Sequence, residues 1–171
     1  MRRVTIHAGH PFPTPDDPVR RLRGRVGGTV SLWTAGDDAE RAGLTVSSWL
    51  VAGGEPGRVL ALLDPDADLT ELLLGTGRGV VQLLSWSDRD LADAFAGIAP
   101  APGGAWRMSA WDQSTHGPRL ATAATWALVS VETEVEVGWS QLVTCTLDEV
   151  VVGEDPEPLV HRRGRYVPPG D

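Results

Sequence analysis

Residues 43–49 read Gly43-Leu44-Thr45-Val46-Ser47-Ser48-Trp49, three hydroxyls and then an aromatic, and Leu50 and Val51 continue the run as apolar. This pattern predicts a strand over about Leu44 to Val51. On an extended backbone successive side chains point to opposite faces. Thr45, Ser47 and Trp49 therefore share one face, and Val46, Ser48 and Leu50 share the other. A strand in the middle of a core would not carry three hydroxyls. Two readings stay open: an edge strand with a solvated face, or a strand that packs on one side and offers hydroxyls and amides to a bound anion or cofactor.

The neighbouring segments place this strand in a β-rich chain. Upstream, Pro18 with Asp16 and Asp17 starts a short basic helix, Val19 to Val26, which Gly27-Gly28 ends. Thr29 to Thr34 then predicts a strand, and Ala35 to Ala42 a polar turn. Downstream, 52–57 is a loop, and Arg58 to Asp64 is an apolar strand of the kind buried on both faces. Asp68 with Glu71 three residues on predicts a capped helix, Leu69 to Leu74. Val80 to Leu84 is another buried strand. Ser87 is expected to cap a second helix, with Leu91, Ala94, Phe95 and Ile98 on one face. Residues 99–119 are expected to form a long loop, followed by two long strands, about Ala121 to Val137 and Ser140 to Val152, and an Arg-rich end. At least six strands and three short helices result, with strands adjacent rather than alternating with helices. The fold class is mainly β with short helices, a barrel with helices attached rather than a doubly wound parallel sheet. Residues 1–17 are expected to form a proline-rich extended arm, 18–167 the domain and 168–171 a tail.

Composition narrows the function classes. With 171 residues the chain is long enough for a sizeable core. Its net charge of −8 and pI of about 4.9 argue against nucleic acid or an anionic membrane surface as a partner. No apolar run approaches the roughly 20 residues of a membrane span, and no apolar signal core follows Arg2-Arg3. Cys145 is the only cysteine, so no internal disulfide forms and a reducing cytoplasm is the expected location. It lies in an alternating apolar segment, which suits a buried structural thiol. The absence of lysine rules out Schiff-base chemistry, and leaves arginine, hydroxyls and backbone N–H groups to hold any phosphate.

Other candidate chemistry is thin. Gly75-Thr76-Gly77-Arg78-Gly79 follows a helix and precedes a strand, the reverse of a dinucleotide loop, and reads as a helix stop. His7, His10, His116 and His161 have no clustered partners, so no metal site is expected. No Gly-x-Ser-x-Gly elbow occurs. Seven tryptophans against one tyrosine and two phenylalanines offer flat surfaces, although most buried indoles fill cores or interfaces. If the chain is an enzyme, a cofactor carries the reaction.

The order of elements resembles the flavin reductase-like, FMN-binding split-barrel family, which includes the reductase components of two-component monooxygenases. Four segments carry the likeness, over about residues 18–167. Val19-Arg20-Arg21-Leu22 through Gly28-Thr29-Val30-Ser31-Leu32-Trp33-Thr34 is similar to the family's opening helix and strand. Gly43–Trp49 is similar to its G-x-T-x-S-S-F motif. Val80-Val81-Gln82-Leu83-Leu84-Ser85 with Asp90-Leu91-Ala92 and Phe95-Ala96 is similar to its later strand and helix, and Leu159–Tyr166 to its closing segment. The resemblance implies a split barrel and a cytoplasmic homodimer binding FMN (or FAD) near the subunit interface. It also implies NAD(P)H as co-substrate, hydride transfer to the flavin and an oxygenase partner that receives reduced flavin. The alternative is a flavin-binding or carrier protein without reductase activity. The implied cofactor contacts are Thr45, Val46, Ser47, Ser48, Trp49, Val51, Ala52, Asp64, Thr70, Arg163 and Tyr166, with no catalytic side chain assigned. Three stretches depart from the family pattern: Val51-Ala52-Gly53 with Pro56-Gly57, the acidic Asp64-Pro65-Asp66-Ala67-Asp68, and Trp139-Ser140 in place of an Asp-His. Carboxylates beside a phosphate are unfavourable unless they face away or arginine offsets them.

Overall fold

The computed structural model describes residues 17–170; residues 1–16, most of the expected arm with His7 and His10, lie outside the described residues. In chain order the elements are α1 (Pro18–Val26), β1 (Gly28–Thr29), β2 (Ser31–Gly36), β3 (Arg41–Val46), β4 (Trp49–Ala52), β5 (Arg58–Leu63), α2 (Asp68–Thr76), β6 (Arg78–Leu83), α3 (Arg89–Phe95), β7 (Trp111–Gln113), β8 (Pro118–Leu120), β9 (Trp126–Val137), β10 (Ser140–Val151), β11 (Val160–Arg162) and β12 (Arg165–Val167).

Seven strands form one antiparallel sheet in the order β3-β2-β6-β9-β10-β5-β4. Its two edge strands, β3 and β4, are consecutive in the chain and joined by Ser47-Ser48 alone. A two-residue link between opposite edges is possible only if the sheet curls, so the sheet is a barrel and Ser47-Ser48 its corner. The N–H of Leu62 in β5 donates to the Ser48 carbonyl at 2.9 Å and fixes the corner to the far edge. The expected continuous strand over Leu44–Val51 is thus two strands broken at the two serines. The chain must leave β2 and join β5 there, which no straight strand can do.

Alternation divides the core in two. Trp33 and Ala35 of β2 point into the barrel with Val59, Ala61 and Leu63 of β5, Val81, Val129, Val143 and Cys145. Leu69 and Leu73 of α2 plug this interior, each worth roughly 2 kcal/mol as a buried leucine. Val30, Leu32 and Leu84 face outward instead, onto Leu91, Ala92 and Phe95 around α3 and onto Leu120 and Leu159. Cys145 is buried, and desolvation pushes its thiol up to about 12, as expected for a structural thiol.

Several local expectations need correction. Ala67, not Asp68, holds the N-cap position of α2, and no side chain caps it. The capping box before α3 is Ser85 with Asp88, the Ser85 N–H donating to the Asp88 carboxylate at 2.8 Å, two residues earlier than Ser87. Ala92 replaces Ala94 on the buried face of α3, and Ile98 lies beyond the helix, exposed. Residues 99–119 contain a 3-10 turn and the β7–β8 hairpin, which pairs Trp111 with Leu120. Trp106 and Trp111 pack there edge-on against Phe95 and each other. The strand expected from Ala121 begins at Trp126, and the Arg-rich end is the β11–β12 hairpin paired with β1. The glycine-rich helix stop holds: Gly77 takes φ +70° and its N–H donates to Leu73 O.

Candidate functional site

The barrel corner opens into a cleft of about 1600 Å³. Its inner wall is Thr45 to Val51. One side is α1 with Gly27, Gly28 and Thr29, and the other is the outward face of β5 and β10 with Leu60, Leu62, Leu142 and Asp64. The closing hairpin contributes His161 of β11 and, from its turn, Arg163 and Gly164.

Glycine makes this approach possible. Gly27 ends α1 with φ +65°, and a Cβ at Gly28 would stand 2.9 Å from the Ser47 carbonyl. Only glycine lets β1 lie this close to the corner. Asp17 fixes the other end of α1, accepting the N–H groups of Val19 and Arg20 at 3.0 and 3.3 Å.

The hydroxyls of residues 45–48 divide sharply by role. Thr45 Oγ1 donates to Ala92 O at 2.7 Å and ties β3 to α3. The Trp49 indole N–H donates to Thr29 O at 2.8 Å, which locks its ring in the cleft wall. Ser47 and Ser48 have no protein partner for their hydroxyls or N–H groups among the described residues. Both line the cleft, so one short corner presents several donors to whatever enters.

Charge reinforces that reading. Arg20, Arg21, Arg23, Arg25 and Arg163 line the cleft against two carboxylates, Asp17 and Asp64. Of the acidic stretch 64–68, only Asp64 reaches the cleft, and its Oδ1 accepts the Asp66 N–H at 2.9 Å. The carboxylates of Asp66 and Asp68 are not part of its lining. The cleft of this acidic protein is therefore cationic.

Of the expected contact residues, the fold gathers Thr45, Val46, Ser47, Ser48, Trp49, Val51, Asp64 and Arg163 around one cleft. Ala52 lies at the exposed end of β4, outside the lining. Thr70 is 2% exposed and its hydroxyl donates to Asp64 O at 2.7 Å, so it holds the turn before α2 rather than facing the cleft. Tyr166 is not part of its lining and donates to Asp93 Oδ1 at 2.7 Å, clasping the closing hairpin to α3. Burial, with the Asp93 carboxylate, pushes that phenol well up. Sequence reasoning missed the α1 arginines, Leu142 and His161. The α1 arginines were visible as a basic helix, but nothing in the order of residues says that this helix borders the corner. Trp49 is the one tryptophan in the lining. Among the described residues no His, Cys, Asp and Glu group could hold a metal ion.

A family model described as the flavin reductase like domain matches residues 23–170. The chain belongs to the flavin reductase like domain family. It is thereby an oxidoreductase of the flavin reductase type, and its mainly β barrel is the family's fold. Solved structures agree on the fold. Flavin reductase PheA2 in its native state superposes with a TM-score of 0.81 at 20% identity, covering 92% of this chain and 100% of that one. The styrene monooxygenase flavin reductase from Pseudomonas putida gives 0.76 at 24%, covering 88% and 96%. The NADH:FAD oxidoreductase of Streptomyces globisporus gives 0.78 at 21%, covering 92% and 96%. No curated protein matches the chain. Among the described residues no helix is long and apolar enough to cross a membrane.

Proposed function

We propose that this flavin reductase is an NAD(P)H:flavin oxidoreductase that takes FMN into the corner cleft and passes reduced flavin to a partner oxygenase. The observation that carries the reading is the uncommitted donor set of Ser47 and Ser48 at the barrel corner, inside a cationic cleft. The donors suit a phosphate or the polar edge of a ring, and arginine suits phosphate. When bound, the flavin supplies the ring that accepts hydride from the nicotinamide. The chain's own residues bind and orient. Ser47 and Ser48 donate hydrogen bonds, and the anchored Trp49 indole gives a rigid wall. Leu50, Leu60 and Leu62 keep one side of the cleft apolar and help exclude water. Positioning of this kind is what hydride transfer mainly requires.

A homodimer completes the reading. Leu50, Leu60, Leu62 and Leu142 share the outward face of β4, β5 and β10, because Leu50 pairs with Leu60 and Leu62 with Leu142. Leu50 is 74% exposed and Leu62 40%. The apolar run of β5 reads as a strand covered on both faces, and in the single chain one face is open. A second copy of the chain covers it and closes the cleft. Sedimentation should give twice the chain mass, and Leu62→Asp should give monomers. The free, buried Cys145 suits a cytoplasmic setting. The neighbouring structures whose names include a styrene monooxygenase flavin reductase and the reductase component of a tryptophan halogenase favour an oxygenase or halogenase as recipient.

The test is direct. Purified protein titrated with FMN should quench flavin fluorescence with saturation, and NADH or NADPH should then be oxidised in a flavin-dependent way. Protein that takes up neither FMN nor FAD would defeat the proposal.

A further inference from the structure

Seven of the chain's 15 arginines stand on two touching elements: Arg20, Arg21, Arg23 and Arg25 on α1, and Arg162, Arg163 and Arg165 on the β11–β12 hairpin. The Arg163 N–H donates to Gly24 O at 2.8 Å and joins the two. None of the seven has an ion-pair partner among the described residues. In a chain of net charge −8, acids for pairing are plentiful elsewhere, yet among the described residues the cleft sets only two carboxylates against these arginines, Asp17, which caps α1, and Asp64, whose Oδ1 accepts the Asp66 N–H. Like charges held together repel one another, and an arriving anion relieves that repulsion.

The hairpin turn adds a second, independent observation. Arg162 pairs with Arg165, so Arg163 and Gly164 are its two loop residues. Both have positive φ, +54° and +80°. Such a turn favours asparagine, aspartate or glycine at its first position, and an arginine in the left-handed region costs about 1 kcal/mol. The outlier points its residue at a function: Arg163 lines the corner cleft and also the adjoining hollow of about 490 Å³ formed by Arg162, Arg165 and Tyr166.

Resting on the flavin-site reading above, we propose that this arginine wall is a second phosphate site, for the adenosine diphosphate half of a dinucleotide. Ser47 and Ser48 can satisfy one phosphate at the corner. Five arginines in the same cleft exceed what a single phosphate monoester engages, since each planar guanidinium grips phosphate oxygens in pairs. The wall therefore makes the protein select a dinucleotide over a mononucleotide. The adenosine diphosphate unit can belong to FAD or, with its 2′-phosphate, to NADPH.

Two variants test this, with folding checked by thermal midpoint. The triple variant Arg20→Gln/Arg23→Gln/Arg25→Gln changes only exposed side chains, and Arg163→Gly removes the guanidinium while relieving the left-handed backbone. For the wild type, the FAD-to-FMN affinity ratio or the NADPH-to-NADH ratio of kcat/KM should favour the dinucleotide or the phosphorylated cofactor about tenfold, and each variant should collapse that preference. Displacement of FAD by ADP assigns the wall to the flavin. Competition by adenosine 2′,5′-bisphosphate against NADPH alone assigns it to the nicotinamide. Calorimetry of both adenosine compounds on the wild-type protein reads the wall without any flavin. If neither compound binds and the variants keep both ratios, the proposal is overturned while FMN reduction stands. If FMN neither binds nor is reduced but ADP does bind, the flavin-site reading fails instead.

Discussion

The barrel has two polar regions that treat their hydrogen-bonding groups in opposite ways. On the side of β6 and β8, Gln82 is fully buried, donating to Thr34 Oγ1 at 3.1 Å and accepting the Leu120 N–H at 2.6 Å, while Thr34 donates to Pro118 O. Nearby, Asp148 sits at a bulge of β10 and accepts from Ser130, Thr146 and His116. Among the described residues no buried side-chain polar atom lacks a partner. At the Ser47-Ser48 corner, among the described residues, the donors are left open and the nearest arginines have no ion-pair partner. A polar cluster that satisfies itself holds the fold; one that remains open waits for a ligand. Residue type alone does not separate the two, because serine, threonine and charged groups occur in both.

The largest effect that would break this contrast is in the closed region. Gln82→Leu leaves the Leu120 N–H and the Thr34 hydroxyl without a buried partner and should cost about 3 kcal/mol in urea denaturation. A cost near zero would mean that water replaces the amide and that the region is not closed. Next, Ser48→Asp places a carboxylate in the open corner and should weaken FMN binding about tenfold, about 1.4 kcal/mol, with the thermal midpoint unchanged. Ser47→Asp should act in the same direction. A drop in midpoint with unchanged affinity would reassign the serines to the fold.

The Asp148 network gives a smaller, pH-dependent effect. Burial alone would raise this carboxyl, but the hydrogen bonds from Ser130, His116 and Thr146 outweigh it and hold the group below its ordinary 3.8. A depressed folded-state value means stability that is present above about pH 4 and lost as pH falls through the folded value. Asp148→Asn should cost about 1 kcal/mol at pH 7, and urea midpoints at pH 7 and pH 3 should lie closer together than in the wild type. At the bottom of the scale is Arg58 with Glu132, a two-pronged pair at 2.6 and 2.8 Å on the exposed bulge of β9. Glu132→Gln should leave the thermal midpoint unchanged at physiological salt, because solvent screens such pairs; a clear fall would show that the bulge depends on it.

Much of the corner was legible because its chemistry is local. Three hydroxyls within residues 45–48, a glycine-ended basic helix and an apolar β5 are properties of neighbouring residues. They pointed to a β-rich chain with a ligand-facing segment, and the order of four segments pointed to the family. Thr45 and Thr70 show the limit. Each is a hydroxyl in a plausible place, yet Thr45 is committed to Ala92 across 47 residues and Thr70 to the Asp64 carbonyl. The acidic stretch 64–68 was legible as a charge but not as a direction, and only Asp64 turns to the cleft.

The sequence by itself determined most of the longer elements, the family and the presence of a donor-rich segment, because propensity, patterning and capping act over a few residues. The tertiary structure alone decided that residues 44–51 bend into a barrel corner rather than run straight. Closing a seven-stranded sheet requires its first and last edges to meet, and that condition belongs to no local stretch. The same closure brings the arginines of α1 to those of the β11–β12 hairpin, nearly 140 residues further along the chain, and turns a protein of net charge −8 into one with a cationic cleft.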